Sequence, residues 1–315
     1  MRHCNQPLLA LPCIFLLNFC AAASTPPGTK SGFITTSDGV KIHYLEAGRE
    51  HIALKRVVGQ RPMDERMPSL QPQRMTSILF VPGWSMPAWI WEKQIAFFSH
   101  NYRVVAMDPR CQGDSSQTSD GLYPAAMARD IKAVVEQLHL APVVLVGWSM
   151  AVKEVLSYVD QFGTKDVAGL VLVDNNAGGF SQGEAEADFG ILKGVLEDRE
   201  KAVSFFVRNV QFKKSQPEEY VQRLMKAALR VPANTAVALI VGAYEADLRN
   251  VLPKIDKPTL VCAANSPYMG LVEDMQKHIP GSQLEIFEGA GHALFVDDPD
   301  HFNSVLENFL GGLAK

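Results

Sequence analysis

Ser149 is the residue in this 315-residue chain best placed to do covalent chemistry. It stands in Gly147-Trp148-Ser149-Met150-Ala151, directly after the aliphatic run Val143-Val144-Leu145-Val146. Val152, Val155, Leu156 and Val159 then recur at helical spacing. Strand, sharp turn and helix follow one another, with the serine at the apex. A serine held in such a turn has a cramped backbone and a hydroxyl pushed into open space. Small residues at 147 and 151 suit the turn because strand and helix approach closely there. The commoner pattern has glycine where Ala151 stands, so this turn carries one extra methyl. A serine hydroxyl alone is a weak nucleophile. Acyl transfer at neutral pH needs a base beside it and an orienting group behind that base.

The elements that must position this serine alternate along the chain. Residues 32–36 and 40–46 predict two strands joined through Ser37-Asp38-Gly39. From 48 to 76 the pattern fades into an irregular insertion. Residues 77–81 predict a strand, 91–98 a helix, 102–107 a strand and 123–138 a helix. The Ser149 strand and helix come next, then a strand over 168–173 that ends at Asp174. Residues 184 to about 250 carry helical patterns without strands; 258–263 and 283–287 are further strands, and 301–310 closes with a helix. Strands alternating with helices predict an α/β fold, a mostly parallel sheet covered on both faces.

A hydrophobic content of 47% over this length suffices for one large domain. A net charge of −4, with charges spread along the chain, offers no basic face for nucleic acid. No histidine or cysteine cluster has metal-ligand spacing, and no glycine loop of the phosphate-binding kind occurs, so neither metal nor cofactor is expected. Arg2 and His3 precede an apolar run over 8–19, and Ala21-Ala22-Ala23 offers a cleavage site. This predicts a signal peptide over 1–23, a mature chain of 24–315, and a secreted or periplasmic protein with no membrane span. A lipid anchor through Cys20 is disfavoured by bulky Phe19 before it. Cys111 and Cys262 remain in the mature chain, as two free thiols or one disulfide.

With these pieces in order, the chain resembles the α/β-hydrolase family over nearly all of its mature length. The matching pieces are Phe80-Val81-Pro82-Gly83-Trp84, the loop from Asp108 to Ser115, Gly147 to Ala151, Ala246-Asp247-Leu248-Arg249 leading to Lys257-Pro258-Thr259, and Gly289-Ala290-Gly291-His292. Trp84 after Gly83 and Met150 after Ser149 are most similar to the branch of bacterial aryl esterases and cofactor-free haloperoxidases. The resemblance implies a helical cap over about 180–250. The chain departs from the family in three places. Pro82-Gly83 stands for His-Gly, and Cys111-Gln112 for Gly-His. After the strand at Pro258, Ala263-Ala264-Asn265-Ser266-Pro267 stands where a Gly-x-x-Asp-Pro turn should carry the catalytic acid.

The family pattern makes Ser149 the nucleophile and His292 the base, on a loop that Gly289 and Gly291 leave free to turn. His278 and His301 fall on helical patterns and read as solvated or capping residues. The acid is open. Asp174 ends the strand after the nucleophile strand, a position some relatives use. Asn265 or Ser266 could instead orient a neutral imidazole, or the triad could be degraded. Backbone N–H groups of Trp84 and Met150 are the expected oxyanion hole. Trp84 and Trp148 are expected to wall the acyl pocket or pack under the cap, Trp89 and Trp91 to pack in the core. Asp108, Arg110 and Asp114 read as a structural loop. The implied activity is hydrolysis of a small carboxylic ester, or of a lactone or thioester, on Ser149. The alternative is a non-catalytic binding protein on the same fold, which the missing later acid favours.

Overall fold

The computed structural model describes residues 26–48, 76–178 and 182–313. The leader over 1–23, with Cys4, Cys13 and Cys20, lies outside the described residues, as does nearly all of the 48–76 insertion.

Eight strands form one sheet: β1 (Lys30–Thr35), β2 (Lys41–Ala47), β3 (Ser77–Val81), β4 (Arg103–Met107), β5 (Val143–Trp148), β6 (Val167–Val173), β7 (Thr259–Ala264) and β8 (Gln283–Phe287). Their spatial order is β1-β2-β4-β3-β5-β6-β7-β8. The β2 strand runs antiparallel to both of its neighbours, and all pairings from β4 to β8 are parallel. The helices are α1 (Glu92–Phe98), α2 (Pro124–Gln137), α3 (Ala151–Phe162), α4 (Gln182–Glu197), α5 (Arg199–Phe205), α6 (Glu218–Leu229), α7 (Ala233–Glu245), α8 (Met269–Lys277), α9 (Leu294–Asp297) and α10 (Pro299–Leu313).

Successive side chains of a strand point to opposite faces, so a strand buried on both sides must be apolar throughout. Val144, Val146 and Trp148 pack on one face with Trp91 of the turn before α1 and with Phe302 and Leu306 of α10. Val143 and Leu145 pack on the other with Ile131 and Val134 of α2 and Val155 and Val159 of α3. Between β6 and β7 the helices α4 to α7 run without a strand among the described residues, joined through a π-helical turn over Phe206–Gln211. A third apolar cluster joins them to the sheet domain: Val195, Val231, Ala236 and Leu239 pack on Trp84, Met127 and Met150. Among the described residues no single helix is long and apolar enough to cross a membrane.

Candidate active site

The turn between β5 and α3 holds Ser149 at φ 58°, the left-handed region that non-glycine residues rarely occupy. Two bonds fix it there. Ser149 N–H donates to Val173 O at 2.8 Å, and Ser149 O accepts from Val152 N at 2.9 Å to open the helix. The absence of a side chain at 147 is required, because a Cβ there would lie 2.7 Å from Ala151 O and 2.9 Å from Val155 Cγ2. The same holds for Gly83, whose Cβ would sit 2.6 Å from Ser149 Cβ. The loop after β3 therefore passes directly over the serine, bringing the Trp84 backbone with it. Neither Trp84 N–H nor Met150 N–H has an acceptor among the described residues. Met150 N–H stands at the positive end of α3.

His292 lies on the loop between β8 and α9. Its Nε2 is 2.8 Å from Ser149 Oγ, and its Nδ1 is 2.7 Å from Asp174 Oδ2. Three bonds clamp this loop. Gly291 N–H donates to Asp297 Oδ2 at 2.8 Å, Ala293 N–H to Gln211 O at 2.8 Å, and Trp148 Nε1–H to His292 O at 2.9 Å. Trp148 is fully buried, its ring 5.3 Å from the imidazole centroid. It supports the histidine from below and walls no open pocket. Trp84 packs against α7 and Phe206, while Trp91 is core and Trp89 is half-buried beneath Arg223.

Asp174 also has left-handed backbone, at φ 51°. Its N–H donates to Cys262 O, and its Oδ1 accepts from Ala264 N–H at 2.8 Å. Ala264 ends β7, the strand after which the family's acid would follow. That edge supplies a backbone donor instead of a carboxylate, and the donor aims Asp174 at the histidine. Asn265 and Ser266 do not reach His292. Asn265 Nδ2 donates to Glu288 Oε2 at 2.7 Å, and Ser266 Oγ accepts from Tyr268 N.

The loop after β4 is occupied with bracing. Asp108 accepts from Ala88 N and Asp114 N, and its Oδ2 lies 2.6 Å from His43 Nδ1. His43 Nε2 in turn is 2.8 Å from Ser31 Oγ. Arg110 forms a buried two-point pair with Asp130, at 2.7 and 2.6 Å, while Asp114 pairs with Arg230 at the surface. Ligating atoms of His43, Asp108 and Asp114 lie within 4.8 Å of one another, a grouping that sequence spacing did not reveal because His43 is far from the two aspartates in the chain. His43 and Asp108 are spent on each other, so these residues fit a brace better than a cation site. His278 bonds to Asp274 O at the end of α8, and His301 pairs with Glu285, both far from Ser149 in role. Cys111 and Cys262 are free and buried, and desolvation raises both thiols above their ordinary range. A surface cleft of about 520 Å³ lies between the loop after β4 and the start of α7, lined by Thr118, Leu122 and Thr235 among others. None of its lining residues belongs to the serine–histidine–aspartate relay.

Residues 76–299 match the family model described as alpha/beta hydrolase fold. The chain belongs to the α/β-hydrolase family. A Synechocystis sp. protein described provisionally as a non-heme chloroperoxidase is 30% identical over 74% of this chain and 90% of its own. A bifunctional esterase/perhydrolase of Acinetobacter calcoaceticus is 28% identical over 89% of this chain and 99% of its own. Among solved structures, an esterase from Exiguobacterium antarcticum superposes with a TM-score of 0.75 over 89% of this chain and 98% of its own, at 24% identity, which speaks for the fold. As an α/β-hydrolase, the chain combines family features legible in its sequence with an aspartate, Asp174, that follows β6 and faces His292.

Proposed function

We propose that this α/β-hydrolase is a serine enzyme that cleaves small carboxylic esters through an acyl-enzyme on Ser149. The observation that carries the reading is the unbroken relay Ser149 Oγ–His292 Nε2 and His292 Nδ1–Asp174 Oδ2, at 2.8 and 2.7 Å. In the first half-reaction Ser149 Oγ attacks the ester carbonyl as its proton passes to His292 Nε2. The carbonyl oxygen becomes an oxyanion that accepts from Trp84 N–H and Met150 N–H. The Asp174 carboxylate steadies the imidazolium from Nδ1. The alkoxide leaves with the proton from Nε2, and the acyl group stays on Ser149. Water, deprotonated by His292, then releases the acid. Two relatives with peroxidase or perhydrolase in their names support a variant of the second half-reaction, with hydrogen peroxide attacking the acyl-enzyme to give a peracid.

The side chains packed around the turn, Trp84, Met150, Val195 and Leu239, are apolar, which supports an uncharged acyl group at Ser149. The binding-protein alternative rested on the missing acid after β7, and the Asp174 carboxylate beside His292 removes that support. The test is labelling with a fluorophosphonate alongside turnover of p-nitrophenyl esters of graded chain length. The wild type should label at Ser149 and favour short chains, and Ser149→Ala should lose both properties with its fold intact. Full ester turnover in Ser149→Ala would sink the serine mechanism.

A further inference from the structure

The proposed oxyanion donor Trp84 is held by the cap on three sides. Its indole Nε1–H donates to Ala236 O of α7 at 2.7 Å. Phe206 meets its ring edge-on, with centroids 5.3 Å apart. Arg199, the first residue of α5, lies with its Cζ 5.4 Å from the ring centroid, within range of an attractive cation–ring contact. The indole is almost fully buried, so its position is set by these contacts and not by water.

Arg199 is an unusual residue to find there. No carboxylate among the described residues pairs with it. Nη2 donates to Ala228 O and Val231 O, at 3.0 and 3.2 Å. Nε and Nη1 are sealed from solvent without a hydrogen-bond partner. A partly buried cation with no paired carboxylate, two of its donors sealed, is costly to a fold unless something nearby offsets it. The sealed N–H groups are closed to a ligand, which argues against substrate recognition. Besides the carbonyls of Ala228 and Val231, what lies against the charge is the face of Trp84.

We infer that Arg199 is a positioning residue for the oxyanion hole, acting through the indole of Trp84, so that the cap sets the reactivity of Ser149. The inference rests on the proposed role of Trp84 N–H as an oxyanion donor. The Trp84 backbone lies in a turn closed by Met86 N–H donating to Gly83 O at 3.2 Å, and its side chain ties that turn to α5 and α7. Gripping the indole at its edge and its face fixes the direction of the N–H one residue past Gly83. A donor aimed at an oxyanion acts through its alignment, so a small rotation of the indole reads out in turnover and not in substrate binding.

A structural reading competes: Arg199 could serve only to cap the carbonyls that end α6. Arg199→Gln separates the two, because the amide can still donate to Ala228 O or Val231 O but carries no charge. The expected result is a kcat for p-nitrophenyl acetate lowered about tenfold or more, KM within about twofold, and a thermal midpoint near wild type. Arg199→Lys should restore most of the turnover, since an ammonium can also sit over the ring. In a Trp84→Leu background the glutamine substitution should be silent in kcat. Wild-type kcat in Arg199→Gln, or an equal loss with and without the Trp84 ring, overturns the inference. If Arg199→Gln fails to fold by circular dichroism, Arg199→Lys decides alone: a large kcat loss in a folded, still cationic variant overturns it, and near-wild-type kcat upholds it. Fluorophosphonate labelling of wild-type Ser149 is read in parallel. Its absence would mean that the serine mechanism itself has failed, which a silent Arg199→Gln in a labelled enzyme would not.

Discussion

Asp174 is held by two opposed demands, and together they make its replacement by asparagine informative. Its Oδ1 must accept from Ala264 N–H, and its Oδ2 faces His292 Nδ1. In Asp174→Asn the amide oxygen would keep the Ala264 bond, because only it can accept. The NH2 group would then face Nδ1, which must turn its lone pair outward. The imidazole proton moves to Nε2, so the ring meets Ser149 as a donor and cannot serve as its base. Turnover should fall by about three to four orders of magnitude with KM little changed. Asn265→Ala should be mild, since that side chain is engaged with Glu288. Steady-state kinetics on both variants check this, and an Asp174→Asn enzyme within tenfold of wild type would contradict the assignment. The sequence showed that an acid was missing after β7 and that one stood at the end of β6. It did not show the Ala264 N–H that ties the two strand ends together, because that bond spans ninety residues of chain.

At the scale of elements, α3 carries more than the nucleophile turn. Glu154, one turn further along, is fully buried, and neither carboxylate oxygen has a hydrogen-bond partner. Desolvation, reinforced by the charge of Asp130 and opposed by Arg110, pushes its pKa from 4.5 up to about 8. Between these two pH values the unfolded chain has lost the proton and the folded chain still holds it. The unfolded state therefore binds fewer protons, and stability falls as pH rises through that window, by at most about 1.4 kcal/mol per pH unit from this group. Glu154→Gln should remove this contribution, so the gap in urea midpoint between variant and wild type should widen from pH 5 to pH 8. A constant gap would mean that Glu154 is ionised in the fold. Such a residue is hard to foresee, because periodicity arguments follow apolar side chains. They locate β3 and β8 to the residue: β3 because a strand buried in a parallel sheet is a continuous apolar run, and β8, a partly exposed edge strand, because Gln283, Leu284, Glu285 and Ile286 alternate polar with apolar. They say nothing of polar groups buried as pairs, such as Arg110 with Asp130 or His43 with Asp108. They also placed Trp91, the last residue of the 3₁₀ turn Ala88–Trp91, in the helix that follows, because it is apolar and in register with α1.

For the molecule as a whole, we propose from residues 1–23 that the protein is exported. Mass spectrometry of native material should then find a mature terminus near Ser24, and an intact Met1 would contradict it. The whole molecule also bears the cost of its site. Ser149 and Asp174 both occupy left-handed backbone, at φ 58° and 51°, and each such residue costs on the order of 1 kcal/mol or more. Glycine adopts this backbone without strain, and asparagine tolerates it better than most residues. Ser149→Gly should therefore melt higher than Ser149→Ala, although both are inactive, and calorimetry would show it; equal melting temperatures would mean that the turn is unstrained. The two strained positions thus have a history written into them in advance. In a lineage released from catalysis, glycine at 149 and glycine or asparagine at 174 would be tolerated without loss of stability from the backbone. A serine and an aspartate at these positions therefore carry a strain that glycine would not, and the proposed catalytic role is what would offset it.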